Sequence, residues 1–228
     1  MQTFNLGRAQ LVYQRLQAAT AGTGAIVKPG HFLQSEQVLV NGQQAYQFYM
    51  TKQATGAAIR NSEVRLDQND TFVALMVGLF VKKELPTKPG KGILQTYENN
   101  TVFTAVANEL DPDDIGALWN SSLNVKVGNT VFADNLDLNP CRVVNTTAQS
   151  SATTRSEHKS FDGYVECLPF ISLDGGANNQ VMFQGPNYSG SLLQHATASD
   201  RNYLVLKMYG FLVSGGSQIA EKVNRALY

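Results

Sequence analysis

The sequence predicts a mainly β protein, an antiparallel β-sandwich with a short helix at each end. Two apolar runs carry that expectation. Thr71 to Val81 reads Thr-Phe-Val-Ala-Leu-Met-Val-Gly-Leu-Phe-Val, and Tyr203 to Val213 reads Tyr-Leu-Val-Leu-Lys-Met-Tyr-Gly-Phe-Leu-Val. Both are far shorter than the ~20 residues a helix needs to cross a bilayer. Both are rich in β-branched and aromatic residues and are bounded by turn formers, which marks strands buried on both faces. Weaker strands fill the interval, so the two halves of the chain are expected to meet in one core.

The N-terminal helix is expected over residues 4–19. Asn5 can cap it, and Ala9, Val12, Tyr13 and Leu16 fall on one stripe at three- and four-residue spacing. Ala-Gly-Thr-Gly at 21–24 ends it as a hinge. The chain therefore divides into a helical arm with its hinge, 1–24, and a sandwich with a C-terminal helix, 25–228. An isolated helix this short is marginal in water and must dock, either on its own sandwich or on a neighbouring subunit. The stripe of Ala9, Val12, Tyr13 and Leu16 is the expected assembly-arm contact.

Val38-Leu-Val, Asn41-Gly42 and Ala45 to Met50 read as strand, two-residue turn and strand. Residues 51–63 read as a polar loop before the strand at 71–81. Ile93 to Tyr97 and Val102 to Val106 flank Glu98-Asn99-Asn100, another tight connection. Asp111-Pro112-Asp113-Asp114 opens a short helix through Trp119, with Asp111 as its cap and acids at its positive end. Leu123 to Val127, Gly128-Asn129 and Thr130-Val-Phe form a second hairpin, with Leu123, Val125, Val127 and Phe132 on one face. Asn145 to Ser160, rich in Ser and Thr, is a long exposed loop. Strands follow at 163–173, 180–184 and 203–213. Ile219, Val223 and Leu227 then mark a short C-terminal helix after Gly215-Gly216.

Composition narrows the function classes. The chain has 228 residues, 18 Lys plus Arg and 18 Asp plus Glu, so its formal net charge is zero. That balance gives no direct nucleic-acid signature. Charged residues make up only 16% of the chain. Asn and Gln, 18 and 17 of them, take up the polar share with groups whose hydrogen bonds ignore salt. A chain near zero net charge tends to associate, which serves an assembling subunit. No signal peptide or transmembrane segment is expected, so synthesis in a cytoplasm is the default.

Candidate chemistry is sparse. Cys141 and Cys167 are too few for a disulfide scaffold or a zinc site, and His31, His158 and His195 have no neighbours at metal-ligand spacing. A cysteine nucleophile with a distant histidine stays open as a minor reading. The lysine-bearing loop Pro86 to Gly92 matches a phosphate loop in composition but not in spacing. Asp111 with Asp114, or Asp162 with Glu166, are available carboxylate pairs. They sit beside caps and turns, and Gly175-Gly176 after Asp174 reads as a strand-end turn. No catalytic residue, cofactor or metal is expected.

Arg65-Leu66-Asp67-Gln68-Asn69-Asp70-Thr71-Phe72, the apolar strand, Leu94-Gln95-Thr96-Tyr97-Glu98-Asn99 and Val102-Phe103 together resemble structural proteins of bacteriophage virions. So does the closing strand with Gly210-Phe211-Leu212-Val213. The resemblance spans roughly residues 60–215. It implies a jelly-roll-like subunit of a capsid or a capsid-attached assembly. Such a subunit is made in the host cytoplasm and located in the virion, with copies of itself and other virion proteins as partners. The family has no catalytic residues to carry over. Two other classes stay open: a host-attachment or carbohydrate-binding β-module, marked by an exposed aromatic platform around Trp119, Tyr188 and Tyr203, and an enzyme on a β-scaffold.

Overall fold

A computed structural model describes residues 5–40, 42–52, 60, 62–85, 90–99, 102–103, 115–144, 161–186 and 201–228. Helix α1 spans Leu6–Thr20. The strands are β1 (Ile26–Val38), β2 (Ala45–Phe48), β3 (Thr71–Glu84), β4 (Ser122–Val127), β5 (Thr130–Asp137), β6 (Tyr164–Asp174), β7 (Asn179–Gln184) and β8 (Arg201–Ser214), and helix α2 (Ala220–Leu227) follows. They form two four-stranded sheets in the orders β1-β8-β3-β6 and β2-β7-β4-β5, with every ladder antiparallel. The expected sandwich is the observed one. Its pairing is nested: the first strand bonds the last, the second the seventh, the third the sixth, and the fourth the fifth.

The two apolar runs lie at the centre of the first sheet, as their lost alternation requires. Phe72, Ala74, Val77, Leu79 and Val81 of β3 face inward with Leu204, Leu206, Met208 and Leu212 of β8. Val73, Leu75 and Met76 face outward with Phe211 and Val213. The parity flips at Leu75, where both ladders shift register between Ala74 and Met76. This β-bulge puts one extra residue into β3 and so serves two cores with one strand. Opposite it, a Cβ on Gly210 would stand 1.9 Å from the Val73 carbonyl oxygen. Only glycine lets the two backbones approach this closely.

The outer core is roofed by the helices. Asn5 caps α1 by accepting from the Arg8 amide at 3.0 Å. Val223 and Leu227 of α2 are buried in the same cluster as Val12 and Leu16 of α1. Across the second sheet, Val127 meets Thr130 about Gly128, whose φ is 56°, so the predicted hairpin forms with Leu123, Val125 and Phe132 buried.

One local expectation needs correction. Asn41 lies outside the described residues, and the strands on either side of it are not hairpin partners: β1 pairs with β8 and β2 with β7. β1 and β2 belong to different sheets, and the Tyr46 hydroxyl braces the end of β1 against β2 by accepting from the Val40 amide at 3.1 Å. The strand before the turn is also much longer than Val38-Leu-Val, beginning at Ile26. In the polar stretch 51–63, Thr51 and Glu63 are buried, and residues 53–59 and 61 lie outside the described residues. Asp111 to Asp114 and Asn145 to Ser160 lie outside the described residues.

Candidate assembly surface

The arm stripe is brought together on the outer face of the first sheet. Ala9, Val12 and Leu16 are buried there, and the Tyr13 ring stacks on Phe211 with centroids 5.7 Å apart. At the start of the helix, Arg8 grips β6 through three contacts. Its Nη1 donates to Glu166 at 3.0 Å, its Nη2 donates to the Cys167 carbonyl at 2.6 Å, and the guanidinium lies 4.2 Å from the Phe170 ring centroid. Behind the helix, Gly22 and Gly24 have φ of 75° and 79° with open space at their Cβ positions, so the hinge is sterically unhindered.

Arg8 and Asn5 bring the start of α1 to a bulge in β6. Between Ile171, opposite Ala74, and Glu166, opposite Met76, four β6 residues face one on β3. Leu168 projects from this bulge 70% exposed, with Leu6 and Tyr228 also exposed. Tyr228 donates its hydroxyl proton to the Phe170 carbonyl. Three segments distant in sequence thus place apolar side chains around one edge of the sandwich, beside the edge strand β5, where Val131 is exposed too. An exposed apolar set of this kind is a candidate contact surface.

A second feature escaped the sequence reading. Lys82 Nζ lies 2.7 Å from Glu36 and 3.1 Å from Glu84, and Arg60 reaches the same two carboxylates. Arg65 pairs with Glu63 at 2.9 Å. Lys82 and Glu84 at alternate positions closing an apolar strand were the available signal, because a charge on the covered face of a central strand needs a partner. Near the same end of β3, an open groove of about 340 Å³ is walled by Leu85, Ile93 and Val102 and flanked by Lys83 and Lys91.

The candidate chemical residues that are described are buried or half-buried, paired or part of turns. Cys141 and Cys167 are buried free thiols, and burial pushes both up to about 12. Arg8 lowers the Cys167 value without overcoming burial. A thiol so held supplies almost no thiolate at neutral pH. His31 rests against Phe72, at 6.3 Å, and its pKa is lowered by burial and Lys28 despite Asp70. His158 and His195 lie outside the described residues. Glu166 is engaged by Arg8. Asp174 accepts from the Gly176 amide at 3.0 Å, a strand-end turn. Among the described residues no cluster of three or more His, Cys, Asp or Glu could hold a metal, and no helix is long and apolar enough to cross a membrane.

Of the aromatic platform, Trp119 and Tyr203 are buried at 0% and 4% exposure, so neither offers a face to a sugar, and Tyr188 lies outside the described residues. Comparison of the chain with protein-family models, curated proteins and solved structures returns no match.

Proposed function

We propose that the chain is a structural subunit of a virus particle, of the bacteriophage kind its sequence resembles. It associates with copies of itself and with other virion proteins, into or onto the shell, after synthesis in the host cytoplasm. The observation that supports this best is the nested strand order, β1-β8-β3-β6 over β2-β7-β4-β5. That wiring is what an eight-stranded jelly roll requires, and jelly rolls serve in viral shells as well as in lectin and cupin domains. A fold alone does not assign a function. Two further features favour a subunit over a lectin or an enzyme. The chain has zero net charge and exposes apolar side chains at one sandwich edge, which suits self-association. Of the aromatics that would mark a sugar site, the two among the described residues, Trp119 and Tyr203, are buried.

In this reading α1 is an arm that neighbours exchange. The contacts that hold Val12, Tyr13 and Leu16 on their own sheet are equally available to the same helix from another copy, and domain swapping across an open hinge is a low-cost route to oligomers. Negative-stain microscopy of the purified protein, with antibody labelling of its native particle, tests the reading. Regular assemblies and labelled particles are expected. A protein that never assembles and instead binds immobilised glycans overturns it in favour of a host-attachment module.

A further inference from the structure

Edge strand β1 is covered on its outer side, at Gln34 to Glu36, by a short stretch of chain. Gln34 and Val64 exchange both backbone hydrogen bonds, at 2.8 and 3.0 Å. Beyond that bridge, Leu66 is buried in the core and bonded to Met50 and Lys52, so it anchors the stretch. Between Arg60 and Arg65, the attachment to the sheet runs largely through charge.

Three carboxylates and three cations make up that attachment. Glu36 comes from β1, Lys82 and Glu84 from β3, and Arg60, Glu63 and Arg65 from the covering stretch. Lys82 Nζ stands 2.7 Å from Glu36 and 3.1 Å from Glu84, while Arg60 stands 3.4 Å from Glu36 and 2.5 Å from Glu84. Glu63 accepts from the Glu36 amide at 3.0 Å, the Ser35 hydroxyl at 3.3 Å and the Arg60 amide at 2.8 Å, and it pairs with Arg65 at 2.9 Å. Gln34 spans the seam by donating to Glu36 at 3.0 Å and to the Ser62 carbonyl at 2.8 Å. From β8, the Tyr203 ring lies under Arg60 and Lys82, and Arg201 stands opposite Glu84 in register. The Tyr49 ring faces Arg65. Arg60, with 29% of its side chain exposed, is the member that reaches solvent; the other five are at most 5% exposed.

The cluster sets three carboxylates against three cations, and Glu84 is the carboxylate that both Lys82 and Arg60 share with Glu36. We propose that the cluster is an acid-released clasp: protonating Glu84 leaves Arg60 and Lys82 packed together with Glu36 as their one shared counter-charge, and the covering stretch then leaves β1 while the two sheets stay paired. What acid would uncover is a strand edge able to pair with another chain.

The direction of the pH dependence follows from Glu84. Burial pushes its carboxyl up, but the Gly90 amide, Lys82 and Arg60 outweigh burial and hold it below the ordinary value of 4.5. Such a group contributes stability above that ordinary value and loses it as the pH falls through the lower folded-state value. Pairing between β3 and β8 from Val73 to Val81 involves no carboxylate, so it has no matching acid dependence.

Amide hydrogen exchange on the full chain, corrected for intrinsic rates, tests the clasp. Between pH ~6 and ~3.5 the Gln34 and Val64 amides should lose protection at least about tenfold while Leu79 and Leu206 keep theirs. Glu84→Gln, which mimics the protonated state, should loosen the Gln34 and Val64 amides already at neutral pH. If that variant does not fold, the wild-type titration decides alone. The clasp is overturned if Gln34 and Val64 hold their protection until β3 and β8 exchange with them in one transition. It is equally overturned if folded Glu84→Gln protects both amides at neutral pH as well as the wild type does.

Discussion

Trp119 donates its indole N–H to the carbonyl oxygen of Leu79 at 3.3 Å, and both residues are fully buried. Leu79 lies between the last β6 pair, Gly78 with Tyr164, and the separate bridge of Val81 with Gln95. The indole thus satisfies a carbonyl at the point where one ladder ends and another begins, which a buried backbone group requires. Trp119→Phe keeps most of the apolar volume and removes the donor. It should cost about 1–3 kcal/mol, seen as a lower denaturation midpoint at unchanged slope. Trp119 is the chain's single tryptophan, so its native emission should be blue-shifted and should move to the red on unfolding.

Leu79 and Leu206 face each other in register at the centre of the first sheet with no exposure. An aspartate at either place is a buried charge without a partner, costing several kcal/mol against a total stability of about 5–15 kcal/mol. Leu79→Asp and Leu206→Asp should each abolish soluble expression. Val131→Asp, at a 60% exposed position, should not. Comparing the soluble fraction and far-ultraviolet dichroism of the three variants checks the layout.

Burial of Cys141 and Cys167 also makes an alkaline prediction. Each thiol is raised from 9.0 to about 12. The folded state therefore retains these protons after the unfolded state has lost them. The stability they contribute is intact below pH 9 and falls as the pH rises from there toward 12. Native protein should be inert to thiol reagents at neutral pH. Replacing both cysteines by alanine should flatten the alkaline loss while costing about 1–2 kcal/mol of packing at neutral pH. Thiol titration and pH-dependent denaturation read both effects.

The legible parts of the fold are those where one chain segment decides its own environment. β3 and β8 announce themselves because continuous apolar runs leave no face for water. β1 does not, because its polar Gln34, Ser35 and Glu36 are buried by partners that local sequence cannot reveal. Lys82 meets Glu36 across 46 residues, and Arg60 meets Glu84 across 24. In sequence these look like solvated charges in a strand end and a loop. The strands flanking Asn41-Gly42 show the complementary limit: turn chemistry in the sequence does not choose partners, which are set by the sheet that each flanking strand completes. The stripe at Ala9, Val12, Tyr13 and Leu16 was readable as a docking face, but the sheet beneath it was not, since Phe211 and Val213 become its floor only once β8 is placed.

The central claim is that this chain is built to assemble with itself, with α1 as the exchanged element. Sedimentation velocity over a concentration series, run on the full chain and on residues 21–228, tests it most directly. The full chain should shift from its 24.9 kDa monomer to defined larger species as concentration rises. The truncated chain should stay a cooperatively folding monomer throughout. A full chain that remains monomeric at every concentration, or a truncated chain that assembles just as well, would contradict the account.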